Sequence, residues 1–124
     1  MHPQNTPKSK RTVLIVEDEV LINCGMANLL EHDGWNVLSA RTVQEACKLL
    51  DARPDAVIVD LMLPDGTGNE VLDQIKSKVL DARVIVCTGV GDEQLLDVFR
   101  QSEPEVVFRK PYFPDELLAR LNAD

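Results

Sequence analysis

Short, almost unbroken apolar runs alternate along the chain with stretches whose apolar positions recur every three to four residues. The runs are "TVLIVED" from Thr12, "NVLSA" from Asn36, "AVIVDLM" from Ala56 and "RVIVCTG" from Arg83, with a fifth candidate, "EVVFRK", from Glu105. Three of the first four are nearly continuous in Val, Ile and Leu rather than alternating. Strands of a parallel sheet covered on both faces read that way.

The intervening stretches carry helix signals. Thr42 with Glu45, and Thr67 with Glu70, fit the capping box, in which side chains and backbone N–H groups satisfy each other. A first helix is expected over about 19–32, with Gly34 supplying the left-handed residue beyond its end. Ile22, Met26 and Leu29 form the stripe expected to face the sheet. Pro114 opens a last helix, about 114–122, where its missing N–H costs little. Strand and helix thus alternate five times, which predicts a doubly wound (βα)5 α/β domain with a five-stranded parallel sheet and right-handed crossovers.

Length and charge narrow the picture. The 124 residues suit one core, with residues 1–10 expected as a disordered lead-in and 11–122 as the domain. The net charge of -8 argues against direct nucleic-acid binding. No apolar run approaches a membrane span, and the polar, proline-containing first residues lack the apolar core of a secretory signal. Cys24, Cys47 and Cys87 are odd in number and far apart, so reduced, buried thiols in a cytoplasmic protein are expected rather than disulfides or zinc.

In doubly wound folds ligands bind beyond the carboxyl ends of the strands. Here the first strand runs into Glu17 and Asp18, the third into Asp60, the fourth into Thr88 and the fifth into Lys110-Pro111. Three carboxylates, a hydroxyl and an ammonium converge on one rim. Carboxylates so close repel unless a cation sits between them or one takes a proton. Mg²⁺ suits the set, with Asp18 and Asp60 as direct ligands. Glu17 is assigned a water-mediated role, because neighbours on an extended strand point to opposite faces. Asp60, at the end of a central run, is placed to attack a phosphoryl group. Lys110 would neutralise the transferring oxygens, and the Thr88 hydroxyl would bind a phosphoryl oxygen present in one state only.

Glu17-Asp18, Asp60, Thr88 and Lys110-Pro111, in this order, together with "DLMLPDGTG" and its Pro64 and Gly68, resemble the receiver domain of two-component response regulators, a CheY-like, flavodoxin-like fold. The resemblance covers residues 11–122. It implies that Asp60 is the phosphoacceptor and that Asp18 and the Met62 backbone carbonyl complete the protein's Mg²⁺ ligands. It also implies that a histidine kinase or histidine phosphotransfer protein is the donor, that the Lys110-Pro111 bond is cis, and that phosphorylation switches binding of a downstream protein. No catalysis beyond its own phosphorylation and dephosphorylation is expected. A monomer or weak dimer is expected, either as a single-domain regulator or as part of a longer regulator or hybrid kinase.

The chain departs from the family pattern in three places. The switch position three residues before Lys110, usually Tyr or Phe, is Val107. Phe108 points the other way by strand alternation, so output is expected to run through Thr88, the loop "TGVGD" and the helix after it. On the first helix Val20, Leu21, Cys24 and Ala27 lie off the core stripe, and Leu21, Cys24 and Tyr112 are candidates for a partner-docking face. Gly25 weakens that helix by about 1 kcal/mol relative to Ala. Met62 and Val90 present apolar side chains beside the acceptor, from which slow self-dephosphorylation is expected.

Three rival readings exist. A haloacid-dehalogenase-type phosphatase wants a second Asp two residues after the first, where Met62 stands. A flavodoxin-like cofactor binder wants a hydroxyl- and glycine-rich loop after the first strand, where "EDEV" would repel an anion. A degenerate receiver is at odds with the intact set of five residues.

Overall fold

The strands are β1 (Thr12–Val16), β2 (Asn36–Ala40), β3 (Ala56–Asp60), β4 (Met62–Leu63), β5 (Gly66–Thr67), β6 (Arg83–Thr88) and β7 (Val106–Arg109). The helices are α1 (Val20–His32), α2 (Val43–Leu49, extended by a 3-10 turn over Leu50–Ala52), α3 (Gly68–Ser77) and α4 (Pro114–Leu121). The computed structural model describes residues 11–78, 80–88, 106–109 and 114–122, and of 88, 106–109 and 114 the backbone alone.

Five strands form one parallel sheet in the order β2-β1-β3-β6-β7. The order reverses direction between β1 and β3, which opens a crevice at the carboxyl ends of those two strands. The remaining pair, β4 and β5, is a small antiparallel hairpin directly after β3.

Alternate residues of each central strand enter different cores, which explains the unbroken apolar runs. Leu14, Val16, Val57, Val59 and Val86 pack with Ala46, Leu50, Val71, Leu72 and Ile75 of α2, its 3-10 turn and α3. Val13, Ile15, Ala56, Ile58, Ile85 and Cys87 pack with Met26, Leu30, Trp35, Leu117 and Leu121, on the side of α1 and α4. Fully burying a side chain of this size stabilises by about 1.5–3 kcal/mol.

Several local expectations meet the structure. Thr42 caps α2, its Oγ1 accepting the Glu45 N–H at 3.0 Å. Gly34 takes φ 96° just beyond α1. The second capping box does not form: Thr67 precedes α3 but makes no side-chain cap bond, and the Glu70 carboxylate lies over Gly66. The core face of α1 is rotated from the expected stripe. Asn23, Met26 and Leu30 are buried, whereas Ile22 and Leu29 are half-buried. The expectation of buried thiols holds for Cys87 alone, with Cys47 half-buried and Cys24 exposed.

The amino ends of the strands are stitched to α4. The Arg11 guanidinium lies 4.5 Å over the Trp35 ring and donates to Asn122 Oδ1 at 2.9 Å. Asn122 Nδ2 reaches Asp33 at 2.8 Å, and Arg83 donates to the Arg120 carbonyl at 2.9 Å. Among the described residues no helix is long and apolar enough to cross a membrane.

Candidate functional site

The site grows from the ends of β1 and β3. Beyond Val16 the Glu17 N–H still donates to the Ala40 carbonyl, at 3.0 Å, and the chain then leaves the sheet for α1. The opposite-face rule for strand neighbours therefore stops applying, and Glu17 and Asp18 both turn toward Asp60. One carboxylate oxygen from each of Glu17, Asp18 and Asp60 falls within 4.8 Å of the others. Glu17 is 1% exposed and Asp60 6%, while Asp18 is half-buried.

Backbone donors orient these acids. Glu17 Oε2 accepts the Glu19 N–H at 3.2 Å, and Asp60 Oδ1 accepts the Met62 N–H at 3.3 Å. Buried Asn23 spans the junction behind them, its Nδ2 donating to the Glu17 carbonyl at 3.0 Å and the Ala40 carbonyl at 3.3 Å. An open cavity of about 310 Å³ beside the acids is lined by Asp18, Arg41, Thr42, Glu45 and Pro64. An all-oxygen set of three close carboxylates, two of them buried, could hold a hard divalent cation.

On the far side of Asp60, Cys87 of β6 pairs with it across the sheet, so the next residue, Thr88, ends its strand on the same rim. Thr88 pairs with Arg109 of β7. Lys110, Pro111 and its peptide bond, Tyr112, Val90 and the loop "TGVGD" lie outside the described residues, as do the side chains of Val107 and Phe108. Of the expected docking residues, Leu21 is 88% exposed and Cys24 is exposed, next to Val20 at 47%.

Two residues of this neighbourhood escape a reading of strand ends. Asn23 sits on the buried face of α1 with Met26 and Leu30, and a polar residue at core spacing is the signal that could have found it. Asp65 lies at the tip of the β4–β5 hairpin and accepts from two N–H groups of α2, a partnership that nothing local in the chain announces.

Residues 13–122 match the profile of the response regulator receiver domain. The chain belongs to that family. As a receiver domain it is 34% identical, over 91% of its own length, to the phosphate regulon transcriptional regulatory protein PhoB of Pseudomonas aeruginosa, covering 51% of that protein. A response regulator receiver domain protein from Clostridium thermocellum superposes with a TM-score of 0.83 at 29% identity, covering 90% of this chain and 91% of the other. A response regulator from Burkholderia pseudomallei, solved with a phosphorylated aspartic acid, a calcium ion and citrate, matches with a TM-score of 0.80 at 25% identity, over 92% and 68% of the two chains. The chain spans about half the length of the curated relatives it matches.

Proposed function

We propose that this receiver domain accepts a phosphoryl group on Asp60 from the phosphohistidine of a histidine kinase or histidine phosphotransfer protein, and that the modification switches binding of a downstream protein. The convergence of Glu17, Asp18 and Asp60 within 4.8 Å at the crevice between β1 and β3 carries the reading.

Asp18, Asp60 and the Met62 carbonyl would hold Mg²⁺, with Glu17 reaching it through water. The bound ion supplies positive charge against both the carboxylates and the phosphoryl oxygens. The residues do the rest. An Asp60 oxygen forms the new P–O bond as the P–N bond to the partner's imidazole breaks, and the departing nitrogen takes a proton from solvent. Asp60, 6% exposed, is poorly hydrated. Lys110 is assigned a further positive charge on the transferring group, and Thr88 a hydrogen bond to the phosphoryl oxygen once it has arrived. Val20, Leu21 and Cys24 present an exposed, largely apolar strip beginning two residues from Asp18, which suits a partner helix carrying the donor histidine. Tyr112 joins this surface in the same reading. Met62 stands where a haloacid-dehalogenase-type phosphatase carries its second Asp, and a thioether has no proton to give, which disfavours that reading.

The test is incubation with Mg²⁺ and a small phosphodonor, followed by intact mass. A gain of one phosphoryl group, absent in Asp60→Asn and with EDTA, is expected. No adduct with any donor overturns the reading.

A further inference from the structure

The hairpin that follows Asp60 is held at both ends. At its root the Met62 N–H donates to Asp60 Oδ1 at 3.3 Å. At its tip Asp65 reaches to the first turn of α2, where Oδ1 accepts from the Val43 N–H at 2.7 Å and Oδ2 from the Gln44 N–H at 3.0 Å. Between them Met62–Thr67 and Leu63–Gly66 pair, and below the root the Gly68 N–H donates to the Leu61 carbonyl at 3.0 Å. Two residues per strand are too few to hold a hairpin's shape in water. Leu63, 8% exposed, anchors one strand in the core on the α2 and α3 side, and Asp65 anchors the turn.

The Asp65 contacts are charge-assisted, made by an exposed carboxylate. Both oxygens of a charged carboxylate meet backbone donors at the positive end of a helix. The Val43 N–H, above all, holds the Asp65 carboxyl below its ordinary value; desolvation opposes it, and the N–H groups of Gln44 and of Asp65 itself add smaller contributions. Yet α2 already has a local cap in Thr42. Thr42 serves the Glu45 N–H, so Asp65 satisfies two further donors of α2 and at the same time ties the hairpin tip to that helix.

We propose that Asp65 is a positioning residue for the phosphoacceptor: by clamping the hairpin tip to α2 it holds the Met62 peptide in place, with its N–H on Asp60 and its carbonyl toward the cation. The inference rests on the reading of Asp60 and Met62 given above. It makes α2 and the acceptor loop one mechanical unit, so a displacement of either moves the other.

Three variants separate this role from simple helix capping. Asp65→Ala removes both acceptors, Asp65→Asn keeps one, and Thr42→Ala weakens the cap of the same helix without touching the hairpin. Two readouts are taken: amide hydrogen exchange of the metal-free protein, and the Mg²⁺ concentration giving half-maximal adduct from a small phosphodonor. In Asp65→Ala the Met62 amide is expected to exchange roughly tenfold faster and the Mg²⁺ requirement to rise by about tenfold, as when a group that orients a metal ligand is lost. Asp65→Asn is expected between this variant and the parent, and it decides the matter if the alanine variant does not fold. Thr42→Ala is expected to speed exchange at Glu45 while leaving Met62 exchange unchanged. Faster exchange confined to Val43 and Gln44 in both Asp65 variants, with an unaltered Mg²⁺ requirement, overturns the proposal and leaves a cap. A parent protein that takes no phosphoryl group overturns the acceptor reading instead, and the exchange arm still decides whether Asp65 clamps the hairpin.

Discussion

One amide group, Asn23 Nδ2, donates to the main-chain oxygens of both Glu17 and Ala40. It joins α1, the acid-bearing turn and the end of edge strand β2 at a point with almost no access to water. Asn23→Leu keeps the bulk but takes a donor from both carbonyls. A loss of about 1–3 kcal/mol in urea unfolding is expected, with several-fold weaker Mg²⁺ binding because the Glu17 turn is freed. A midpoint equal to that of the parent would show that water replaces the amide at no cost.

Close carboxylates oppose folding until a cation arrives. Asp18→Asn removes one negative charge from the cluster without removing bulk. The metal-free variant is expected to be more stable than the parent by on the order of 1 kcal/mol. The parent should gain about 2.7 kcal/mol when Mg²⁺ stands at a hundred times its dissociation constant, and the variant much less at the same concentration. Thermal unfolding with and without Mg²⁺ reads both changes, and a variant less stable than the metal-free parent would count against repulsion as the governing force.

Acid should release the hairpin clamp. The folded-state pKa of Asp65 is depressed, principally by its bond from Val43. Its contribution to stability is therefore complete above the unfolded carboxylate value near 3.8 and is lost as pH falls through the lower folded value. Between pH 7 and 5 the Val43 and Gln44 amides should keep their protection. In titrations carried below pH 4 they should lose it, and Asp65→Asn should remove that acid dependence.

How much of this could be read from residue order depends on how local the cause is. Apolar runs such as "AVIVD" and acids at strand ends follow from period and position, and both cores and the approach of Asp18 to Asp60 are where that logic puts them, whereas Glu17, expected on the opposite face, turns in with them because the chain has left the sheet. Asn23 escapes such a reading because the apolar stripe Ile22, Met26 and Leu29 points to a face rotated by about one residue from the buried one. The Thr67–Glu70 pattern has the right letters, but the Glu70 side chain lies over Gly66 instead. Asp65 caps a helix 21 and 22 residues upstream, and only the fold creates that contact.

The three thiols should separate by reagent access. Cys24 is exposed, Cys47 half-buried and Cys87 buried. Burial, aided by the charge of Glu70, raises the Cys47 thiol above its ordinary value of 9.0, which keeps it protonated and slow near neutrality. Alkylation followed by intact mass should show one rapid addition, at Cys24, then a slow one at Cys47, with Cys87 reacting only on unfolding. Modification of Cys87 in the native protein at the rate of Cys24 would contradict the packing of β6.

Trp35 is the sole tryptophan of the chain, and it lies at the amino ends of the strands, beneath Arg11 and about 15 Å of sheet away from the acids. Its fluorescence is thus an optical probe of the wrong end for metal titrations and the right end for α4. Emission should stay blue and steady as Mg²⁺ is added, and move to the red when the Arg11–Asn122–Asp33 stitch opens, so the protein carries its own spectroscopic marker for the docking of its last helix.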